Sequence, residues 1–216
     1  MARWSRIERD LRGEGFRLIA GVDEVGRGPL AGPVVACAVI MPPDARAIAG
    51  VADSKVLSEA QRRRLAPRIR ERALGWALGA ASVREIDRHN IARATTLAIR
   101  RALLRLRSEF DHILLDGRPI RHLGFDHTAV VDADARCYSV ACASILAKVA
   151  RDRLLTALAL RHPPYAWDRN AGYGTPGHIE ALRVHGLTAH HRALFCRTAL
   201  FGVSTDDQLP LDPPLV

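Results

Sequence analysis

The feature that most constrains this chain is a pair of adjacent acids set between two apolar runs. Residues 18–22 are apolar, Asp23 and Glu24 follow, a Gly-Arg-Gly-Pro turn covers 26–29, and a second apolar run spans 34–41. Two such runs around glycine and proline predict a β-hairpin. Carboxylates are rarely buried without a partner, so the acid pair needs either solvent or a nearby cation. A solvated strand end is the simpler interpretation. The turn favours a ligand site, because glycine lets backbone amides approach a ligand and arginine binds phosphate.

The balance of charges points to an anionic partner. The 216 residues include 32 Lys and Arg against 23 Asp and Glu, a formal net charge of +9. This size suits one domain with a substantial core, and the basic excess makes a polyanion such as nucleic acid the first partner to consider. The four cysteines lack a C-x-x-C spacing, so we expect buried thiols in a reducing compartment rather than a disulfide or zinc framework. No apolar segment reaches the roughly 18 residues that span a bilayer, and no secretory signal is visible. We therefore expect a cytoplasmic protein that does not contact membranes.

Strand and helix signals alternate along the rest of the chain. Residues 1–17 predict an amphipathic helix. The other predicted elements are strands at 76–81, 112–115 and 128–131, and helices at 59–74 (kinked or broken at Pro67), 82–89, 91–107, 139–160, 176–185 and 188–194. Strands interleaved with helices predict an α/β fold, a mixed sheet flanked by helices, with a small C-terminal helical appendage. We expect one domain over 18–203, with the appendage from about 162, and a disordered tail at 204–216.

Acids end three of the predicted strands: Asp23 with Glu24, Asp116, and Asp132 or Asp134. Ligand sites of open α/β sheets gather at strand ends. Converging carboxylates repel one another unless cations hold them, and all-oxygen ligands select hard ions such as Mg²⁺ or Mn²⁺. Two such ions about 4 Å apart can activate a water and stabilise the leaving oxygen of a phosphodiester. A basic protein with an acidic, metal-binding centre predicts nucleic-acid hydrolysis, whereas ordinary turn aspartates are the alternative.

Five segments carry a resemblance to a known family. They are GVDEVGRGPLAGPVV (21–35), DSKVLS (53–58), LLDG (114–117), SILAKVARD (144–152) and GYGTPGH (172–178). In order and spacing they resemble the type 2 ribonucleases H (ribonuclease HII) over about residues 18–200. The resemblance implies a ribonuclease H-like fold and an endonuclease that hydrolyses the RNA strand of RNA–DNA hybrids. It also implies cutting on the 5′ side of ribonucleotides embedded in duplex DNA, leaving 3′-hydroxyl and 5′-phosphate ends, in ribonucleotide and primer removal.

The resemblance implies that four acids bind the divalent ions, Mn²⁺ or Mg²⁺. These acids are Asp23, Glu24, Asp116 and Asp134. One departure concerns the last of them, because the family usually has Lys-Gly-Asp where this chain has Asp132-Ala133-Asp134. On an extended segment Asp132 and Asp134 would point the same way, so either could serve the metal. The register favours Asp134.

The resemblance implies substrate contacts from other residues. Gly26, Arg27 and Gly28 correspond to the segment that reads the 2′-hydroxyl, the group that distinguishes RNA from DNA. Tyr173 corresponds to the aromatic that packs on the sugar 3′ of the ribonucleotide, although it could instead be a core tyrosine. The residues implied on the phosphate side, or in support of the site, are Lys55, Ser144 and Lys148. Lys148 could also lie along its helix without reaching substrate. Ala171 replaces a lysine that is common in the family, which leaves one phosphate contact in question.

Several other patterns have simpler interpretations. His185, His190 and His191 lie in a basic helical region without a metal-binding spacing, so we predict that the histidines are surface or capping residues. The arginine-rich helices 59–72 and 91–107 are either solvated faces or a duplex-binding surface. The tail segment Gln208-Leu209-Pro210-Leu211 faintly resembles peptides that bind sliding clamps, but it lacks the final aromatic residue. We expect a monomer.

Two rival functions remain open at this stage. One is a catalytically silent protein that binds RNA–DNA hybrids and has lost turnover through the change at Asp132 and Ala133. The other is a different nuclease on the same fold, such as a junction resolvase. The complete set of acids disfavours the first rival, and the Gly-Arg-Gly turn with Tyr173 disfavours the second.

Overall fold

The computed structural model describes residues 4–202, and a mixed five-stranded sheet forms its centre. The strands are β1 (Ile19–Val25), β2 (Val34–Ile40), β3 (Gly75–Ala81), β4 (His112–Asp116) and β5 (His127–Val130). Their order across the sheet is β3-β2-β1-β4-β5. The first three strands pair antiparallel, whereas β4 is parallel to β1 and β5 is parallel to β4. The predicted hairpin and mixed sheet are confirmed.

Helices cover both faces of this sheet. They are α1 (Arg6–Gly13), α2 (Glu59–Arg72), α3 (Val83–Arg105), α4 (Ala133–Arg136), α5 (Tyr138–Ala159), α6 (Trp167–Asn170), α7 (Pro176–His185) and α8 (Ala193–Phe201), with a 3₁₀ turn at Pro163–Tyr165. Helix α3 packs on one face, and α2 and α5 pack on the other. Because β1 and β2 are buried on both sides, their sequences are continuous apolar runs rather than alternating ones.

Helix α5 lies unusually close to the middle of β1. A Cβ atom at Gly21 would overlap the backbone carbonyl group of Ser139 at the start of α5. A glycine is therefore required for this approach. The close packing places Ser144, in the middle of α5, beside Asp23 near the end of β1.

Helix α1 docks on the beginning of α5 through a buried carboxylate. Ser5 caps α1 in a capping box with Glu8. The Glu8 carboxylate also accepts hydrogen bonds from the backbone amides of Tyr138 (3.1 Å) and Ser139 (2.8 Å) and from the Ser139 hydroxyl (2.7 Å). It thereby satisfies amides of the first turn of α5, which have no partner within their own helix.

The structure corrects several predicted boundaries. Strand β1 continues three residues beyond Val22, because Asp23 and Glu24 remain paired with β2, so the acids lie inside the strand. Helix α2 is not broken at Pro67. Helix α3 contains the predicted interruption, since Asn90 has φ 66° and its side chain accepts the amide of Arg93 at 3.0 Å.

The last predicted helix was placed wrongly. We predicted it at 188–194, whereas α8 begins at Ala193. Its expected first turn instead forms a β-bridge between His191 and Ala31, and the carbonyl of His190 accepts the amide of Gly32. The segment from 163 to 201 packs around Leu30 and Ala31 and contains the 3₁₀ turn and helices α6 to α8, as expected for the appendage. Its division from the rest of the domain stays a prediction.

The remaining predictions about the chain as a whole have mixed outcomes. All four cysteines are buried free thiols, as predicted. Among residues 4–202, no helix is long and apolar enough to cross a membrane. The tail at 204–216, with its clamp-like segment Gln208–Leu211, lies outside the described residues.

Candidate active site

The pairing of β1 with β4 brings two of the predicted acids side by side. Val22 pairs with Leu115 in parallel register, so the residues that follow, Asp23 and Asp116, lie at the same level on neighbouring strands. Asp23 is buried, and one of its oxygens accepts the amide of Glu24 at 2.7 Å. The topology thus joins acids that are more than ninety positions apart in the chain.

Electrostatic coupling extends this pair to all four acids. The pKa of Asp23 is raised well above its ordinary value, chiefly by burial and next by the charge of Glu24, with smaller contributions from Asp116 and Asp134. Burial also raises the pKa of Glu24 and of Asp116. The positive charge of nearby Arg27 opposes this rise in the pKa of Glu24. Burial and the neighbouring carboxylates thus disfavour ionisation of these acids, and a bound cation would favour it.

The structure places Asp134, not Asp132, in this cluster. The prediction that residues 132–134 are extended is wrong. Asp132 is exposed, has left-handed backbone angles (φ 55°, ψ 39°) and precedes the short helix α4. Asp134 lies in that helix and is buried, and Lys55 Nζ contacts its Oδ2 at 2.9 Å. The amide of Ala133 donates to Asp116 Oδ1 at 2.6 Å, which ties α4 to the end of β4.

The acids contact cationic side chains and amides of the protein and do not form a complete metal-coordination site. Lys55 contacts Asp134, and Arg27 Nη1 lies 3.4 Å from Glu24 Oε1. In the part of the chain that the structure describes, no three His, Cys, Asp or Glu side chains are grouped as a ready metal site. The donor set itself is all carboxylate, which suits a hard divalent ion. Metal binding by Asp23, Glu24, Asp116 and Asp134 stays a prediction.

The loop between β1 and β2, residues 26–33, lies next to the acids and to Tyr173. Gly26 is buried, whereas Arg27 and Gly28 are exposed. A Cβ atom built at Gly28 would lie 3.6 Å from the ring of Tyr173. Tyr173 itself is 48% exposed, so it is not a core tyrosine. An exposed glycine and an exposed aromatic ring therefore form one surface beside the acidic cluster.

The remaining predicted residues join the 53–58 loop to α5. The hydroxyl groups of Ser54 and Ser144 are 2.7 Å apart, and the pKa of Asp23 reflects a hydrogen bond with Ser144. Lys148 Nζ donates to Asp152 at 2.7 Å, one helical turn along α5. Arg62 of α2 donates to the carbonyl of Ser54 and lies 3.9 Å from Asp152. Ser144 thus contacts the loop that carries Lys55, and Lys148 is linked to this loop through Asp152 and Arg62. Their roles at the site stay predictions.

Two histidines are buried, which contradicts the prediction that they are surface or capping residues. Trp167 Nε1 donates to His178 Nε2 at 3.1 Å, and His178 Nδ1 lies 2.8 Å from the carbonyl of Tyr173. His178 and His191 face each other with their Nε2 atoms 3.0 Å apart. The hydrogen bonds and aromatic neighbours satisfy the rings away from water. The burial follows from contacts between distant segments, which helical spacing could not reveal.

This histidine pair predicts a loss of stability in acid. Burial, and secondarily the charge of His178, lowers the pKa of His191 to about 4. The unfolded chain protonates this histidine below its ordinary pKa near 6.5, but the folded chain does so only near 4. Between these values the unfolded state therefore binds more protons, and the free energy of unfolding falls as pH falls, by roughly 1.4 kcal/mol per pH unit. Urea unfolding at pH 7, 5.5 and 4.5 measures this pH dependence of the free energy of unfolding.

Two variants test the assignment to His191. His191→Gln should flatten the pH dependence of the free energy of unfolding, whereas His122→Gln, at an exposed histidine, should leave it unchanged.

The sequence analysis also missed two arginines. Arg151 in α5 and Arg192 just before α8 are 0% exposed, and both contact the 26–33 loop. Arginine is almost never fully buried. The detectable signal was Arg151 within the apolar part of α5, on the helix side that packs against the sheet.

Comparisons with known proteins agree with this arrangement. The family model described as Ribonuclease HII matches residues 20–198. The ribonuclease HII of Thermosynechococcus vestitus is 50% identical over 188 residues, which are 87% of each chain. The structure of the PCNA:RNase HII complex from Archaeoglobus fulgidus has a TM-score of 0.70 and 26% identity, covering 88% of this chain and 100% of that one. The structure of Bst-RNase HIII in complex with Mn²⁺ shares the fold, with a TM-score of 0.63, 22% identity, and coverage of 85% and 69%.

Proposed function

Because this chain belongs to the ribonuclease HII family, we propose that it cuts on the 5′ side of ribonucleotides, both in RNA–DNA hybrids and singly embedded in duplex DNA. Family membership makes it an endoribonuclease that hydrolyses the RNA strand of hybrids. The proposed cleavage leaves 3′-hydroxyl and 5′-phosphate ends and serves ribonucleotide and primer removal. One observation carries the proposal: the acidic cluster adjoins an exposed glycine loop and an exposed tyrosine.

The acids supply the catalytic part of the proposal. Asp23, Glu24, Asp116 and Asp134 would hold Mn²⁺ or Mg²⁺. When bound, such ions activate a water and stabilise the leaving oxygen of a phosphodiester. The raised pKa of buried Asp23 supports this assignment, because a divalent cation removes the cost of ionising it. Lys55 contacts Asp134 and is otherwise exposed, so it can reach a phosphate beside the acids.

The exposed loop and tyrosine supply the recognition. Gly26, Arg27 and Gly28 would contact the 2′-hydroxyl through backbone groups, since glycine allows close approach. Tyr173 would pack on the next sugar toward the 3′ end. Ser144 and Lys148 support the site from α5.

One cleavage assay tests the function. A duplex with a single embedded ribonucleotide and its all-DNA twin are incubated with the protein and Mn²⁺ or Mg²⁺. We expect cutting of the first duplex only, 5′ of the ribonucleotide. Equal cutting of both would contradict ribonucleotide recognition and favour another nuclease on this fold. Binding of the ribonucleotide duplex without cutting in either ion would favour the silent binding protein.

Tyr173 provides a prediction within this function. Tyr173→Ala should lower kcat/KM on the single-ribonucleotide duplex roughly tenfold, because about 1–2 kcal/mol of apolar packing on the sugar is lost. Tyr173→Phe should keep most of the activity, because the ring remains. Since Tyr173 is exposed, both variants should keep the free energy of unfolding within about 0.5 kcal/mol. Equal activity of the alanine variant and the parent would contradict the assigned contact.

A contact with a sliding clamp stays a prediction. The solved relative from Archaeoglobus fulgidus is a complex with PCNA. The segment of this chain that we considered, Gln208–Leu211, lies outside the described residues.

A further inference from the structure

Arg151 and Arg192 together hold the 26–33 loop from its buried side. Both side chains are fully buried, and their hydrogen bonds all go to backbone carbonyl groups. Within the described range, neither guanidinium forms an ion pair with a carboxylate. Two unpaired buried charges are costly, and burial lowers the pKa of both groups. Seven hydrogen bonds to carbonyl groups offset this cost, so the two side chains fix the backbone that surrounds them.

The two arginines divide the carbonyl groups of the loop between them. Arg192 donates to Gly26 O at 2.5 Å, to Arg27 O at 2.8 Å and to Gly32 O at 2.8 and 3.0 Å. Arg151 donates to Ala31 O at 2.9 Å and to Pro33 O at 3.0 Å. It thereby anchors the far end of the loop to α5.

Arg151 also joins the loop to the tyrosine segment. Its third hydrogen bond goes to the carbonyl of Ala171, at 2.9 Å. From the other side, the amides of Leu30 and Ala31 donate to Gly172 O at 2.8 and 3.2 Å. Arg151 and these backbone hydrogen bonds together hold the loop against the segment that carries Tyr173.

The hydrogen bonds from Arg192 fix the direction of two loop amides. In a trans peptide unit the carbonyl and the following N–H point in opposite directions. The carbonyls of Gly26 and Arg27 point inward to Arg192. The amides of Arg27 and Gly28, which belong to the same two peptide units, must then point outward. Both residues are on the exposed part of the loop, so these donors face the surface beside the acids.

We propose that Arg192 and Arg151 are positioning residues for ribonucleotide recognition: they turn the amides of Arg27 and Gly28 toward the 2′-hydroxyl and set the loop against Tyr173. This inference rests on the proposed function. A lysine cannot replace either arginine, because the planar fork reaches several carbonyls at once and an ammonium group does not.

The test compares Arg192→Lys and Arg151→Lys with the parent protein. Fluorescence anisotropy in metal-free buffer gives the affinity for the single-ribonucleotide duplex and for its all-DNA twin. We expect the parent to prefer the ribonucleotide duplex about tenfold, the worth of one well-placed hydrogen bond. In Arg192→Lys this preference should fall to nearly one. Arg151→Lys should reduce it as well.

Hydrogen exchange provides a second measurement that does not depend on substrate. The amides of Leu30, Ala31 and Gly32 are hydrogen-bonded in the parent. In both lysine variants the peptide covering 26–33 should exchange at least about tenfold faster. Ile99→Ala is the matched control, since it destabilises the core on the α3 face, away from the loop. It should lower the melting temperature without changing either the exchange of this peptide relative to the rest of the protein or the duplex preference.

The possible outcomes distinguish the positioning role of the two arginines from the proposed function. Unchanged duplex preference in Arg192→Lys would overturn the positioning role, even if the loop exchanges faster. Unchanged exchange of the loop would also overturn it, whether or not the parent prefers ribonucleotides. A parent protein without any preference, and without cleavage of the ribonucleotide duplex, would instead contradict the proposed function.

Discussion

Asp23→Asn is expected to lower cleavage of the single-ribonucleotide duplex by roughly 10³-fold or more, because a lost metal ligand removes several kcal/mol of transition-state stabilisation. The same variant should be more stable than the parent in metal-free buffer. Burial raises the pKa of Asp23, so its ionised form opposes folding near neutral pH, and this opposition grows as pH rises through the folded-state value. The amide carries no charge. The melting temperature should therefore rise by roughly 2–4 °C for each kcal/mol gained.

The opposite directions of these two effects identify the residue as functional. Mn²⁺ should raise the melting temperature of the parent and not that of Asp23→Asn. The exposed Asp10, which pairs with Arg6 across one helical turn at 3.6 Å, offers a control. Asp10→Asn should change neither activity nor stability by a measurable amount. Full activity of Asp23→Asn, or of Asp116→Asn, would contradict the assignment of a metal centre.

Gly26→Ala should lower kcat/KM by roughly 10²-fold, the effect expected when reacting groups are displaced by about 1 Å. Gly26 has φ 92°, which L side chains rarely adopt, and an added Cβ would overlap the Arg151 guanidinium and approach the carbonyl of Pro33 to 2.9 Å. Because both neighbours are fixed by hydrogen bonds, the loop itself must move. We also expect a loss of about 1–3 kcal/mol in the free energy of unfolding.

Gly13, at the end of α1, is the matched glycine control. A Cβ atom there would meet nothing within 4 Å. Gly13→Ala should therefore leave cleavage unchanged and stability nearly so. Cleavage kinetics and urea unfolding of the two variants, measured in parallel, test the prediction. Parent-like cleavage by Gly26→Ala would show that the loop tolerates displacement and does not recognise the ribose.

The sheet and its acids were largely predictable because their signals are local. Apolar runs give the strands, and the Gly-Arg-Gly-Pro turn gives the hairpin. The pairing of β1 with β4 then brings Asp23 beside Asp116 without further assumptions. Local signals also mark two helix starts: Ser58 and Ser82 are each followed three positions later by Gln61 or Glu85, and each forms a capping box with that residue.

The parts that could not be predicted depend on contacts between distant segments. Asp134 lies on a helical turn, not on a strand, and distant segments meet there: the amide of Ala133 donates to Asp116, and Lys55 donates to Asp134. Residues 188–192 lack helical structure because they pair with the 26–33 loop. Arg192 looks like an ordinary surface arginine in sequence, and only the fold reveals the carbonyl groups that surround it.

The buried carboxylate of Glu8 has a practical consequence for anyone shortening this protein. The family match begins at residue 20, at the start of β1, which invites an expression boundary that leaves out α1. Such a truncated chain would leave the first amides of α5 and the hydroxyl of Ser139 without their acceptor. The same helix carries Ser144, Lys148 and Arg151, so trimming a segment remote from the acids would loosen the scaffold on which substrate recognition depends.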